Sequence, residues 1–534
     1  MGETQRPNIL LIMTDQHRAD HLGCYGNRIV RTPNIDALAA RGTAFDRFYT
    51  ATPVCMPNRA TLMTGRMPTL HGVRHNGIPL DLEATTFTEL LSAGGYATAL
   101  IGKCHLQSIS GKPIVQGLPE PREGLRPPPE RLAEARHALH PPAAYDQELP
   151  KSWDDEAFDL ALPFYGFDHV RIAIGHADQM HGHYRRWLAE RVERPQDLIG
   201  PDNALSTDSA APQAWHTRLP EELYPTSFVA EETIGYLRDH ASRGGTRPFF
   251  LQCSFPDPHH PFTPPGRYWD MYRPDEVELP ATFGHLPERH PPHLAAMMEA
   301  RRSGRANPGG HTAFAAQEDE VRAATALTYG SITMIDDAVG RVLGELRRLG
   351  LDRNTVVIFT ADHGDFMGAH GLMLKAALHY DALIRVPCIW TEPAGDGGGR
   401  RSDALCGTID LPTSILARAG LAPFNGMQGL DLQDLAAGRA SRSAILVEER
   451  PRRAYMGFPP NFEVRTLVTA GHRLSIYSGV AWGELYDFAS DPGECTNLWD
   501  DAGSAGLRAA LTEQLVREMM DLSERSPLAR GHGP

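Results

Sequence analysis

Short apolar runs bounded by turn residues alternate with stretches of helical period along most of this chain. That alternation predicts an α/β fold on a largely parallel sheet. Residues 8–14 (NILLIMT) read as a buried strand, and further strands are expected over 97–101, 248–255 and 355–360. Thr86, followed three residues later by Glu89, forms a capping-box pattern that opens a helix, and Gly94-Gly95 ends it. A second helix is expected over 228–240. A third carries Ile332, Ile335, Val339, Val342, Leu343 and Leu346 on one face, with Gly350 as its stop. Residues 106–225 break this rhythm. They are rich in proline and histidine, as at 126–129, and weakly periodic. They read as a long insertion over one edge of the sheet, either a specificity element or a solvated excursion. From about 441 short β-like runs (465–469, 472–478, 484–488) precede a helix near 507–522. The expected organisation is an α/β domain over 1–440, its large sheet sandwiched by helices, and a small C-terminal α+β subdomain over 441–534.

Composition narrows the function more than the fold. The chain has 534 residues, too many for a single core. Its net charge of −14 argues against nucleic acid as a partner. The cysteines, seven in all, are scattered and show no zinc or disulfide spacing. The start shows no cationic and apolar leader, and its apolar run is too short to span a bilayer. The expectation is a cytoplasmic protein with no membrane partner. The oligomeric state stays open, a homo-oligomer included.

The candidate chemistry sits where the strands stop. The first strand leads into Asp15-Gln16, the second into Lys103-Cys104-His105, the third into Asp257-Pro258-His259-His260-Pro261, and the fourth into Asp362-His363-Gly364-Asp365. Parallel sheets bind ligands beyond the carboxyl ends of their strands, so these four ends would face one crevice. Two carboxylates with neutral side-chain oxygens suit a hard cation such as Ca²⁺ or Mg²⁺, and an imidazole ligand tilts the choice toward Mn²⁺. Cys55 opens the run Cys55-Met56-Pro57-Asn58-Arg59. Pro57 fits a first helical turn and Gly65 can close the helix, which puts residue 55 at a helix N-terminus, a favourable place for an anion.

This pentapeptide and the run Ala60-Thr61-Leu62-Met63-Thr64-Gly65-Arg66 resemble the signature of type I sulfatases, formylglycine-dependent members of the alkaline phosphatase superfamily. Lys103-x-His105 matches the lysine-x-histidine of that family. Lys375, twelve residues after His363, matches its second sulfate-binding lysine, and His259 its Pro-His-x-Pro histidine. The run from Leu485-Tyr486-Asp487 to Asn497-Leu498 is similar to its C-terminal subdomain. In two places the chain departs from the commonest pattern: Gln16 stands where many members carry Asp, and His363 where many carry Asn.

The resemblance implies a sulfatase that hydrolyses a small organosulfate. A maturation enzyme would oxidise Cys55 to formylglycine, whose hydrate attacks sulfur. It further implies that Arg59 braces that residue, that Lys103 and Lys375 bind the sulfate, and that His105 bonds a formylglycine hydroxyl. His259 would protonate the leaving oxygen, with His260 as its competitor. Asn76 matches a polar position that points at substrate in relatives, and reads equally as a turn residue. The metal ligands implied are Asp15, Gln16, the oxygen derived from Cys55, Asp362 and His363, with Ca²⁺ expected and Mn²⁺ or Mg²⁺ as alternatives. The competing function on the same fold is a phosphonate monoester or phosphodiester hydrolase, against which Lys103 and His105 argue.

Overall fold

Every residue of Asn8–Thr14 is buried, as a strand covered on both faces requires. A computed structural model describes the chain at residues 6–110, 140–245, 247–284, 290–393, 398–451 and 462–526, with 129, 458 and 528. Most of the expected proline run at 126–129 lies outside these. The main sheet uses β1 (Asn8–Thr14), β2 (Thr43–Phe45), β3 (Ala97–Gly102), β4 (His169–Ile174), β5 (His181–Gly182), β6 (Phe249–Ser254), β7 (Thr355–Ala361), β8 (Cys388–Thr391) and β9 (Arg400–Ser402). Their order is β9-β2-β8-β7-β1-β6-β3-β4-β5. β7, β1, β6, β3 and β4 run parallel, while β8 pairs antiparallel with β7 and β2.

Alternation along β1 splits the interior into two cores. Leu10 and Ile12 face a core with α3 (Pro225–Ser242) and α4 (Glu318–Arg348). Ile9, Leu11 and Met13 face the other, with α1 (Cys55–Thr64), α2 (Phe87–Ala93) and α5 (Asp410–Arg418). The fold is therefore α/β, with a mixed and mostly parallel sheet between helices. The capping box at Thr86 and Glu89 is formed, and the left-handed Gly350 lies just beyond α4. The segment read as an insertion does lie at one edge, but it does not merely pass over it. Its β4 and β5 extend the sheet, and Trp153, Tyr184 and Trp187 are packed into the cores.

Near the C-terminus, β10 (Ala444–Glu449), β11 (Val464–Thr469), β12 (His472–Tyr477) and β13 (Gly483–Asp487) form an antiparallel sheet against α6 (Ala505–Asp521). Among the described residues no helix is long and apolar enough to cross a membrane.

Arg473 on β12 is fully buried and shared by two carboxylates. Glu484 lies at 3.1 Å, and Glu494 receives the Arg473 Nε. One cation between two buried anions favours keeping one proton. Burial outweighs Arg473 at Glu494 and pushes its pKa up to about 7. A carboxyl raised in the native state adds stability that is complete below the unfolded value and is lost as pH rises through about 7. Glu494→Gln, a neutral mimic, is therefore expected to gain in Tm relative to wild type between about pH 5 and pH 8. Melting curves across that range that hold a constant gap would remove this assignment.

Candidate active site

β7, β1, β6 and β3 are neighbours in the sheet and run in one direction, so their carboxyl ends open onto a single crevice. Asp362, Asp15, Lys103 and the Asp257–Pro261 turn follow these four strands. The N-terminus of α1 closes the crevice from the second core. Cys55 is its first residue, Pro57 lies in its first turn, and the left-handed Gly65 terminates it. The α1 N-cap, Val54, makes no side-chain cap bond; Asn76 Oδ1 accepts from the Met56 N–H at 3.1 Å instead. Asn76, an exposed residue, thus serves the helix N-terminus.

Arg59, 2 % exposed, reaches across the floor. Its guanidinium donates to Asp362 Oδ2 at 2.9 Å, to the Lys103 carbonyl and Ser254 Oγ at 3.1 Å, and to Asp15 Oδ2 at 3.4 Å. Lys103 Nζ is paired with the same Asp15 oxygen. Burial opposes the charge on Asp15, but Lys103 and Arg59 outweigh it and hold this carboxyl well below its usual range.

Cys55 Sγ lies 3.0 Å from His363 Nε2, 3.1 Å from Lys375 Nζ and 3.8 Å from Asp15 Oδ1. Burial and Asp15 oppose its ionisation; Lys375 and His363 prevail, and the thiol pKa is lowered. Lys375 Nζ also lies 3.0 Å from His363 Nε2 and donates to His259 Nε2 at 3.1 Å. His259 gives its Nδ1–H to the His260 carbonyl. Burial, with His176 and Lys375 next, holds the His259 imidazole well below its usual value, so it is neutral here. His260 Nδ1 faces Gln16 Nε2 at 3.0 Å and makes no bond to Lys375. Of the two histidines, His259 is the one at the lysine.

Ligating atoms of Asp15, Cys55, Asp362 and His363 all lie within 4.8 Å of one another. Two further observations fit a cation there. Gln16 Oε1, on the residue next to Asp15, is buried without a hydrogen-bond partner among the described residues. His363 gives its Nδ1–H to the Gly364 carbonyl at 2.9 Å, which turns Nε2 toward the cluster, where a bound cation would take the place of a proton on it. Gln16 also donates to Asp365, whose carboxyl burial pushes up to about 6.

Two contributors come from the poorly periodic segment and carried no sequence signal. Glu148, 1 % exposed, accepts the backbone N–H groups of His105, Leu106 and Gln107, and so fixes the loop after β3. His176 enters the crevice just after β4, with its Nε2 2.6 Å from Lys103 Nζ. Backbone strain marks the same places. Gln16, His105, Ala177 and Leu374 are non-glycine residues at positive φ, and each is a site residue or the neighbour of one.

The sulfatase family model matches residues 7–421, and the model for the C-terminal region of N-sulphoglucosamine sulphohydrolase matches 368–521. An arylsulfatase of Clostridium perfringens is 30 % identical over 500 residues, covering 92 % of this chain and 90 % of the relative. A multifunctional alkaline phosphatase superfamily protein of Trinickia caryophylli is 27 % identical, with 94 % of this chain and 93 % of the relative covered. The crystal structure of a phosphonate monoester hydrolase from Agrobacterium radiobacter superposes with a TM-score of 0.76. It is 26 % identical, and the match spans 97 % of this chain and 96 % of that one.

Proposed function

The chain belongs to the sulfatase family and is a sulfuric ester hydrolase; from that premise we propose that it cleaves small organosulfates with a formylglycine made from Cys55 by a maturation enzyme. The observation that carries this reading is the position of residue 55. It opens a helix, within 3.1 Å of Lys375, 3.0 Å of His363 and 3.8 Å of Asp15. A hydrated aldehyde supplies there two hydroxyls on one carbon, one to attack sulfur and one whose deprotonation releases sulfate by C–O cleavage.

The surrounding side chains divide the remaining work. Lys103 and Lys375 take the sulfate oxygens, whose charge they stabilise in a site shielded from water. His105, whose buried Nδ1 has no partner among the described residues, is available to a formylglycine hydroxyl. The exposed Asn76 amide is placed to bond the substrate. His259 is neutral while Lys375 donates to its Nε2. Bound sulfate draws Lys375 onto itself and adds negative charge beside the imidazole. Both changes let Nε2 carry the proton that the leaving oxygen needs. A divalent cation, Ca²⁺ in the first instance and Mn²⁺ or Mg²⁺ otherwise, would be held by Asp15, Gln16, Asp362, His363 and the oxygen at residue 55. It would supply Lewis-acid charge at the nucleophile. Activity lost on chelation is expected to return with one of these ions, and full activity in exhaustively chelated protein would remove the cation.

The likeness to a phosphonate monoester hydrolase supports a second reading, in which phosphonate monoesters or phosphodiesters are the preferred substrates. Lys103 and His105 favour sulfate. Comparing kcat/KM on 4-nitrophenyl sulfate with that on a phenyl phosphonate ester decides between them. Sulfate is expected to be preferred, and a strong phosphonate preference would reverse the assignment.

A further inference from the structure

His176 belongs to none of the motifs discussed above, yet it touches two of the groups assigned to opposite ends of the reaction. Its Nε2 lies 2.6 Å from Lys103 Nζ. An ammonium can only donate, so Nε2 is the acceptor and the ring proton sits on Nδ1. Its ring stacks on that of His259, with centroids 3.9 Å apart and planes 22° apart. It stands 6.5 Å from the ring of His105, edge to face. One imidazole therefore bridges the lysine that would hold the sulfate and the histidine that would protonate the departing oxygen.

The backbone beneath it is built to hold that position. Gly175 (φ 113°) and Ala177 (φ 53°) flank it, and an alanine in the left-handed region is strained because its Cβ crowds the following carbonyl oxygen. The turn is fixed by Asp178, fully buried, whose Oδ2 accepts from Gly200 N and Trp215 Nε1 at 3.1 Å and from Thr217 Oγ1 at 2.6 Å. His176 itself is partly buried. A strained turn locked by a buried carboxylate, presenting a ring to two reactive groups, is more than packing requires.

The geometry points to His176 as a positioning residue of the hydrolytic reaction, one that aims Lys103 through its Nε2 and sets the face and orientation of His259 through stacking. This rests on the sulfate ester reading of the crevice. Its two functions are separable by chemistry. Phenylalanine keeps a ring to stack on His259 but offers Lys103 no acceptor. Glutamine offers an amide oxygen near the place of Nε2 but no ring.

The test uses the matured full-length protein with two readouts: the affinity for inorganic sulfate by calorimetry, and the ratio of kcat on an alkyl sulfate to kcat on 4-nitrophenyl sulfate. The alkyl ester needs a proton on its leaving oxygen far more than the nitrophenyl ester does, so the ratio reports His259. His176→Phe is expected to weaken sulfate binding by about tenfold, the worth of a hydrogen bond to a charged group, and to keep the alkyl-to-aryl ratio. His176→Gln is expected to lower that ratio by about tenfold, within the range of general-acid contributions, and to keep the sulfate affinity. The proposal is overturned if neither readout moves. It is equally overturned if both fall together in both variants alongside a lowered Tm, since that is the behaviour of a wall residue. A wild type that binds sulfate but hydrolyses no sulfate ester would instead refute the functional reading, and the calorimetric arm would still decide whether His176 holds Lys103.

Discussion

Cys55→Ala is expected to lower kcat/KM on 4-nitrophenyl sulfate by at least about ten-thousand-fold, as loss of a nucleophile does elsewhere. The fold should survive. Cys55 is a small buried side chain at the start of α1, and alanine suits that place as well as cysteine. Cys55→Ser separates the nucleophile from the diol. A single hydroxyl can attack sulfur and expel the alcohol, but no second hydroxyl on the same carbon can then expel sulfate. The expected result is one turnover followed by arrest, with the sulfated peptide seen by mass spectrometry. In wild type, the tryptic peptide 48–59 should carry an aldehyde in place of the thiol. Fully active protein with an unmodified Cys55 would sink this chemistry.

Which parts of this site were legible in the chain depends on how each part is built. Strands buried on both faces must be apolar throughout, so β1, β3, β6 and β7 announced themselves as short runs. Once they were read as parallel, the residues after them had to meet. That is why Asp15, Lys103, Asp362 and the pair His259-His260 could be grouped from the chain alone. Cys55, Arg59 and Lys375 came from motif resemblance. His176 follows a different kind of strand. β4 (HVRIAI) is paired on one side with the two-residue β5, with His169 exposed and Arg171 half-exposed. Its pattern is diluted within a segment rich in proline and histidine. Glu148 acts through three backbone N–H groups 41 to 43 residues away, a relation with no local signature. Asn76 shows the same limit: its acceptance from the Met56 N–H is a tertiary contact that no spacing rule encodes.

Arg59→Ala is expected to be the most destabilising single change in the crevice. The guanidinium bonds Asp15 after β1, the Lys103 carbonyl after β3, Ser254 on β6 and Asp362 after β7, and so ties all four strand ends to α1. Truncation leaves two fully buried carboxylates with one cation fewer, and breaking a buried pair in this way costs about 3–5 kcal/mol. At about 2–4 °C per kcal/mol for a large domain, the Tm should fall by roughly 10 °C. The measurement belongs in chelator, since a bound cation would compensate the same two carboxylates. A Tm within about 2 °C of wild type would show that the interactions do not carry this weight. Arg59→Lys then distinguishes charge from geometry. A lysine restores the positive charge but is a compact point charge that cannot reach four acceptors in one plane. It should recover part of the stability while leaving the Lys103 carbonyl or Ser254 unserved. Since the Lys103 side chain starts from the residue that Arg59 anchors, the lysine variant is expected to bind inorganic sulfate more weakly than wild type even where its Tm is restored.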